Sequence, residues 1–273
     1  MIKRKLESLL LQIVMWLMVL CFIAPLAWLL LTSLKNRADA FSMPPKWIFT
    51  PTFSNYASIL QDGTFVSNYF NSIQVGVLAT LLSLILGIPT AYALSRFKIK
   101  GKEDIAFWIL TTRMAPPIMV ILPFYLIFKE FNLLDTVFSL VIVYMLINMA
   151  FVVWMMRNYF DSIPIDLEES ARVDGASRLK AFTKVVLPLS GPGIAASGIF
   201  SFIMSWNEFL FAFVLTGEHT KTAPVSITSF MTFEGIRWGE IAAGGILIIL
   251  PVVVFGIVIQ KYLIEGLTMG SIK

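Results

Sequence analysis

The sequence predicts an all-α polytopic membrane protein with six transmembrane helices and both termini in the cytoplasm. Of its 273 residues, 58% are hydrophobic and only 14% are charged, and the mean hydropathy is +0.82. Soluble domains average about 45–50% apolar and about 25% charged residues. A chain of 30.6 kDa cannot bury so many apolar side chains, so the surplus must face lipid. One cysteine, Cys21, and one histidine, His219, argue against a disulfide framework and a histidine-based metal site.

Six stretches are long and apolar enough to cross a bilayer, because about 20 residues rising about 1.5 Å each span a hydrocarbon core of about 30 Å. They lie at 11–34, 72–94, 105–128, 136–156, 194–216 and 241–262. Each is continuously apolar and much longer than a barrel strand, which indicates helices. The first follows a basic cluster but is too long for the apolar region of a signal peptide, so we expect a membrane anchor.

The basic residues predict the orientation. With the N-terminus inside, fourteen of the 21 lysines and arginines lie in cytoplasmic segments and six in outer segments. Cytoplasmic loops carry such an excess, so both termini are expected in the cytoplasm. In the outer 35–71 loop, the stretch from Phe53 to Leu60 is expected to form a short interfacial helix.

The cytoplasmic connection 157–193 is far longer than two adjacent spans require, and its pattern predicts two helices joined by a turn. Ser162 is expected to cap the first helix, with Pro164 in its first turn. Gly175 supplies a left-handed stop, and Ser177 can cap a second helix. That helix is expected to end at Leu187-Pro188, before the fifth span begins.

Two interpretations of this helix pair remain open. It is either a solvated amphipathic hairpin lying on the membrane or a docking element for a cytoplasmic partner. Leu167, Ala171 and Val173 lie beside acidic residues, which suits recognition of a helix in a partner's groove.

The same stretch resembles the EAA loop of bacterial and archaeal ABC importer permeases. In that family Glu-Ala-Ala, a later glycine and a Leu-Pro pair define the coupling helices. Ser170 replaces the first alanine of the pattern, which exchanges one small residue for another. The matching residues are Glu168, Glu169, Ser170, Ala171, Asp174 and Gly175, followed by Leu187 and Pro188.

Three further stretches resemble the carbohydrate-importer branch of this family. Within it they are most similar to the second, maltose-type permease subunit, which has six spans and a short C-terminal tail. The likeness therefore covers most of the chain, read as one permease domain over 1–273. The stretches are Trp206-Asn207-Glu208-Phe209-Leu210-Phe211, Gly266-Leu267-Thr268-Met269-Gly270 and Thr112-Arg113-Met114-Ala115-Pro116-Pro117.

The resemblance implies mechanical coupling to an ATPase. The coupling helix would sit in a groove of a nucleotide-binding subunit, with Glu169 as its acidic contact and Gly175 allowing the sharp turn. The outer 217–239 loop would face an extracytoplasmic sugar-binding protein. The implied assembly contains a second homologous permease and two ATPase subunits, which carry ATP and Mg, in the cytoplasmic membrane of a bacterium or archaeon. Residues Gly266, Leu267, Thr268 and Gly270 would reach toward the ATPase pair.

Two ionisable residues lie within predicted spans, where burial of charge is costly and a functional role is the first hypothesis. Glu208, beside Trp206 and Asn207, either lines a sugar pathway or makes a structural hydrogen bond. Arg113 precedes Pro116-Pro117, which predicts a broken helix whose freed carbonyls the arginine can satisfy.

Several function classes lack their motifs. The sequence has no G-x-x-x-x-G-K-[ST] phosphate loop, so this chain is not expected to bind ATP itself or to be an enzyme. It also has no G-x-S-x-G or H-E-x-x-H motif and no cysteine cluster, and no basic patch that would indicate nucleic-acid binding. Two alternatives to an ABC permease are a self-contained secondary transporter or channel, in which inverted repeats are expected, and a membrane-embedded enzyme.

Overall fold

A computed structural model describes the backbone of residues 2–233 and 235–268, and the side chains of 8–233, 235–258 and 260. The helices are α1 (Ile2–Ser33), α2 (Arg37–Ala40), α3 (Ser54–Gln61), α4 (Thr64–Arg96), α5 (Lys102–Thr111), α6 (Pro117–Glu130), α7 (Val137–Ser162), α8 (Ile165–Val173), α9 (Arg178–Ala181), α10 (Leu187–Leu189), α11 (Gly191–Trp206), α12 (Leu210–Leu215), α13 (Ala223–Ser226) and α14 (Trp238–Thr268).

Shorter elements complete the described secondary structure. Thr112–Met114 and Ile227–Phe230 are 3₁₀ turns, and Phe182–Val186 is a π-helical segment. Strands β1 (Met231–Thr232) and β2 (Gly235–Ile236) pair antiparallel. The described chain is therefore helical, as predicted, apart from this small ribbon in the 217–239 loop, which the sequence analysis did not predict.

Four described helices are long and apolar enough to cross a membrane: Ser8–Ser33, Thr64–Arg96, Val137–Ser162 and Trp238–Val258. In two further pairs of helices, the two members are long and apolar enough to cross a membrane only when they are counted as one segment. Lys102–Met114 and Pro117–Glu130 are bent by 91°, and Arg178–Leu189 and Gly191–Trp206 by 73°. The described part of the chain thus offers four spans, or up to six if each bent pair is one span.

The fifth predicted span, 194–216, is not one continuous helix. Helix α11 ends at Trp206 and α12 begins at Leu210, so three residues separate them. Apolar residues flank the break on both sides, so mean hydropathy over the stretch does not distinguish a helix broken at Asn207 and Glu208 from an intact one. The second span is also longer than predicted, since α4 begins at Thr64 rather than near residue 72.

One compact unit comprises the described residues of 1–67 and 226–250. Hydrogen bonds in this unit connect the end of α1 to α3. The side-chain amide nitrogen Nδ2 of Asn55 donates to the carbonyl oxygens of Ser33 and Lys35, both at 2.8 Å. Because Asn55 and Ser33 are buried, these bonds fix the path of the chain as it leaves α1. The short helix predicted from Phe53 to Leu60 is observed here as α3, while its place at the membrane interface stays a prediction.

The other unit comprises the described residues of 68–225 and 251–273, and α7 lies at its centre. One apolar cluster surrounds the first half of α7, where Leu140 and Tyr144 pack with Phe211 of α12. A second cluster surrounds its last half, where Met156 and Phe160 pack with α4. These two clusters hold α4, α7 and the elements that carry the candidate site in one core.

Small residues let the helices of this unit approach closely. A side chain at Gly193 of α11 would meet the Tyr159 ring of α7 at 2.6 Å, whereas one at Gly191, two residues earlier, would meet nothing within 4 Å. Close packing at small residues is how helices associate in lipid, where apolar burial alone supplies no driving force.

This contrast predicts opposite outcomes for two neighbouring substitutions. Gly193→Ala forces the Tyr159 ring away and should destabilise the chain by about 1–3 kcal/mol, while Gly191→Ala should be neutral or slightly stabilising. The midpoint of thermal unfolding of the purified protein in detergent, followed by size exclusion, measures both. Equal midpoints for the two variants would contradict the tight contact.

Candidate functional site

The helix pair predicted after the fourth span is present. Helix α8 ends at Val173, and Gly175 adopts a left-handed φ of +89°. The Ser177 hydroxyl accepts from Lys180 N at 3.3 Å and so caps α9, as predicted. The second arm then continues from α9 through the π-helical segment to α10.

Three boundary predictions for this helix pair are wrong. Ser162 does not cap α8, because it is the last residue of α7 and its hydroxyl donates back to the Tyr159 carbonyl. Pro164 is the residue before α8 rather than within its first turn. Pro188 does not end the second arm, since proline is tolerated in the first turn of the short α10, and the chain bends only after Leu189.

The adjacent acidic residues of α8 face opposite surroundings. Glu168 is buried, with 7% of its surface exposed, whereas Glu169 is exposed. The Tyr92 hydroxyl of α4 donates to Glu168 Oε1, and Arg96 Nε donates to Glu168 Oε2 at 3.1 Å. Neither Tyr92 nor Arg96 was singled out from the sequence as a partner, although their i, i+4 spacing places both on one helix face.

The outward surface of the hairpin carries both charge and apolar area. Besides Glu169, the residues Ser170 and Asp174 are exposed, and Ala171 is partly buried. The large apolar residues on this surface are exposed by 46% or more: Ile165, Leu167, Val173 and Leu179. A cleft of about 580 Å³ lies beside it, lined by Arg96, Phe97, Lys98, Ile165, Glu168, Glu169, Arg172 and Arg178.

The second candidate site lies at the break between α11 and α12. Trp206 is almost fully buried, with its ring centroid 5.7 Å from that of Phe202 and 5.1 Å from that of Tyr69. The Asn207 side chain is exposed and donates to the Ile203 carbonyl at 2.9 Å. The three residues grouped by sequence, Trp206, Asn207 and Glu208, therefore lie in different environments.

Glu208 caps the helix that follows it. Its carboxylate accepts from Phe211 N at 3.0 Å and from Ala212 N at 3.2 Å, and the Tyr144 hydroxyl donates to it at 2.8 Å. A carboxylate at this position satisfies amides that have no partner in the first turn of a helix. These contacts supply the structural hydrogen bonds that the sequence left as one of two possibilities.

Arg113 lies at the predicted break between α5 and α6, which the structure contains. The expected bonds to freed carbonyls are not observed for this described side chain. Instead Arg113 Nη2 lies 3.1 Å from Met204 Sδ, and its guanidinium stands 5.2 Å over the Phe151 ring. Prolines 116 and 117 lack an N–H group, so they leave carbonyl oxygens of the preceding turn without a backbone donor, yet the guanidinium contacts α11 and α7 instead.

Asp135, which sequence reasoning missed, organises the start of the 217–239 loop. Its carboxylate accepts from the backbone N–H of Gly217 at 2.8 Å, His219 at 3.2 Å and Thr220 at 3.0 Å, and from the Thr220 hydroxyl at 2.7 Å. Burial raises the pKa of Asp135, but the hydrogen bonds from Thr220, Gly217 and His219 outweigh it and hold that pKa below its ordinary value.

The C-terminal prediction falls largely outside the described residues. Gly266, Leu267 and Thr268 belong to the backbone of α14, but the side chains from residue 261 onward and all of Gly270 lie outside them.

Comparison with known proteins decides the family. A family model described as "Binding-protein-dependent transport system inner membrane component" matches residues 63–268, which is more than half of the chain. The chain belongs to this family. The family predicted from the sequence is thereby confirmed, and this permease is an inner-membrane component with several membrane-spanning helices.

Curated relatives of this permease include several sugar transport components. It is 34% identical to the trehalose transport system permease protein SugB of Mycobacterium tuberculosis, with 91% of this chain and 92% of that protein covered. It is 32% identical to the trehalose/maltose transport system permease protein MalG of Thermococcus litoralis, with 94% of each covered. It is also 32% identical to the diacetylchitobiose uptake system permease protein DasC of Streptomyces coelicolor, over 91% of each.

A solved structure supports the same fold. The permease matches a chain of a bacterial ABC transporter involved in the import of the acidic polysaccharide alginate, with a TM-score of 0.80 and 28% identity. The match covers 94% of this chain and 96% of that one.

The cap at the α11–α12 break gives a first prediction for this site. Glu208→Ala leaves the amides of Phe211 and Ala212 without their acceptor and should destabilise the permease by about 1–3 kcal/mol. Asn207→Ala is the matched control, because its side chain is exposed and bonds only within its own helix. Thermal unfolding in detergent compares them, and a Glu208→Ala midpoint equal to the wild-type value would remove the capping role.

The Asp135 contacts give a second prediction, on the 217–239 loop. Asp135→Asn should speed amide hydrogen exchange at Gly217, His219 and Thr220 by about tenfold at neutral pH, because bonds to an ionised acceptor are lost. Glu130→Gln, an exposed acid nearby in sequence, serves as the control.

The same contacts set a pH dependence with a definite sign. Because the folded pKa is depressed, the contribution of Asp135 to stability is complete above the ordinary value of 3.8 and is lost as pH falls through the lower folded value. Exchange of the wild-type loop, corrected for the intrinsic rate, should therefore rise only in acid below about pH 3.8. A loop that loosens between pH 7 and pH 5 would contradict this assignment.

Proposed function

We propose that this chain is a transmembrane permease subunit of an ATP-driven, binding-protein-dependent importer of di- or oligosaccharides. The observation that carries the proposal is the family match over 63–268, together with relatives whose names describe trehalose, maltose and diacetylchitobiose transport. The likeness to a permease of an alginate importer supports the same class of cargo.

The proposed topology has six spans in one permease domain over 1–273, with both termini and the 157–193 connection in the cytoplasm. The third span would then be bent between α5 and α6, and the fifth would be broken between α11 and α12. The bend of 73° between Arg178–Leu189 and Gly191–Trp206 would lie at the end of the cytoplasmic connection 157–193, so that Arg178–Leu189 would stay outside the membrane. The excess of basic residues in 157–193 and in the segment after α4 supports this orientation.

The hairpin of α8 and α9 would be the coupling element that docks on an ATPase subunit. Its outward surface presents Glu169 and Ser170 beside exposed Leu167 and Val173, which suits insertion of a short helix into a groove. Gly175 has a φ of +89°, a conformation that residues with a side chain rarely adopt, and so it allows the turn. Ala171, Asp174 and the inward-facing Glu168 complete the element, and the C-terminal tail through Gly266, Leu267, Thr268 and Gly270 is a second proposed contact.

ATP and Mg would bind to the two ATPase subunits and not to this chain, which would act without a bound cofactor. A second, homologous permease would complete the pathway, and the outer 217–239 loop would meet the extracytoplasmic sugar-binding protein. Within the pathway, Asn207 has the exposed amide that a sugar hydroxyl requires, while Trp206 and Glu208 would shape the wall behind it.

The assembly is tested by recovering the tagged chain from its native membrane in detergent and identifying co-purifying proteins by mass spectrometry. A second permease and a Walker-motif ATPase are expected. Recovery of the chain alone, still transporting maltose or trehalose after reconstitution, would overturn the proposal in favour of a secondary transporter.

The docking role is tested in the same purified complex. Glu169→Lys should abolish the stimulation of ATP hydrolysis by the binding protein, because a cation replaces the exposed carboxylate of the coupling surface. Membrane insertion should be unchanged, since this side chain makes no described contact within the core. Asp104→Lys, at an exposed acid in the first turn of α5, is the matched control. Full stimulation of the Glu169→Lys complex would remove the docking role.

A further inference from the structure

Both oxygens of the one buried carboxylate on α8 are bound by a single turn of α4. Tyr92 and Arg96 lie four residues apart and therefore on one face of that helix. The Tyr92 hydroxyl donates a hydrogen bond to one carboxylate oxygen of Glu168, and Arg96 Nε donates to the other. The Arg96 and Glu168 side chains are only 9% and 10% exposed, so water competes little with their ion pair.

Arg96 also holds the segment that leads into α8. Its Nη2 donates to the Ile163 carbonyl at 2.8 Å, while its Nε binds Glu168 in the middle of the helix. One guanidinium thus fixes the entry and the centre of α8 at once. A helix held only by its two connecting turns would be free to pivot, and these two contacts prevent that.

The Tyr92 ring also contacts the second arm of the hairpin. Its centroid lies 4.3 Å from that of Phe182, the first residue of the π-helical segment, and 5.8 Å from that of Phe160 in α7. The hydroxyl therefore holds α8 while the ring packs on the second arm. Both arms meet α4 at one residue.

We propose that Tyr92, Glu168 and Arg96 form a clamp that makes the hairpin and α4 move as one body. The inference rests on the proposed function, in which an ATPase subunit displaces the hairpin. Helix α4 is continuous over 33 residues, about 50 Å at 1.5 Å per residue, so a displacement at its cytoplasmic end reaches the far side of the membrane. Tyr92 and Arg96 are positioning residues, which act through Glu168, while Glu169 makes the outward contact.

The clamp predicts loss of coupling without loss of assembly. The measured quantity is the ratio of ATP hydrolysis by the reconstituted complex with and without its binding protein, purified from the native host with the cargo it carries. In Tyr92→Phe, which keeps the ring and removes the hydroxyl, this ratio should fall about tenfold, because a hydrogen bond to a charged group is lost. The amount of ATPase subunit recovered per permease should stay at the wild-type value.

A matched control and a rescue separate coupling from general damage. Ser95→Ala also removes a hydroxyl from the end of α4, but this hydroxyl bonds Asp161 of α7, so the ratio should not change. Arg96→Glu alone should lose stimulation, and combining it with Glu168→Arg restores an ion pair at the same place and should recover at least half of the ratio.

Each other outcome overturns the clamp. A wild-type ratio in Tyr92→Phe, a loss of co-purified ATPase in parallel with the ratio, or no recovery in the charge exchange would show that the contact does not transmit motion. If the wild-type complex itself contains no ATPase or is not stimulated, the proposed function fails and the clamp fails with it, which is distinguishable from failure in the variants alone.

Discussion

Backbone amides at a helix end inside a bilayer have no water to bind, so every break in a membrane helix requires an internal partner. The break between α11 and α12 meets this constraint with the Glu208 carboxylate, which takes the amides of Phe211 and Ala212 and the hydroxyl of Tyr144. The position of α12 depends on that cap, and the cluster around the first half of α7 includes Phe211. The hydrogen bonds that Glu208 accepts thus account for an acidic residue between two apolar helices.

Much of the fold could be predicted because its signals are local. Apolar length identified the stretches that contain the four long apolar helices of the described chain. Gly175 and Ser177 marked the turn of the hairpin because φ preference and side-chain capping act within a few residues. The break at 207–209 could not be predicted from hydropathy, since its flanking residues are apolar. The role of Asp135 was missed because its partners lie more than 80 residues away in sequence.

The hairpin that carries the candidate site was predictable from the sequence, but the different surroundings of its two adjacent acidic residues were not. Glu168 and Glu169 are adjacent acidic residues on one short helix, and their sequence positions alone do not show which of them is buried. Successive residues of an α-helix point about 100° apart, at 3.6 residues per turn, so one can face α4 while the other faces outward. Which of them faces inward is decided by the donors on α4, Tyr92 and Arg96, which are more than 70 residues away in sequence.

Polar groups in this permease therefore fall into two kinds with different consequences. Glu168, Glu208 and Asp135 have their oxygens bound by the chain itself, so they stabilise its fold. Glu169 is left exposed with its neighbours, and exposed charge beside apolar area is suited to a partner. Arg113 belongs to neither kind, because among the described residues it pairs with no carboxylate and meets only Met204 and Phe151. Its guanidinium lies against a sulfur atom and an aromatic face, and an aromatic face attracts a cation without any carboxylate.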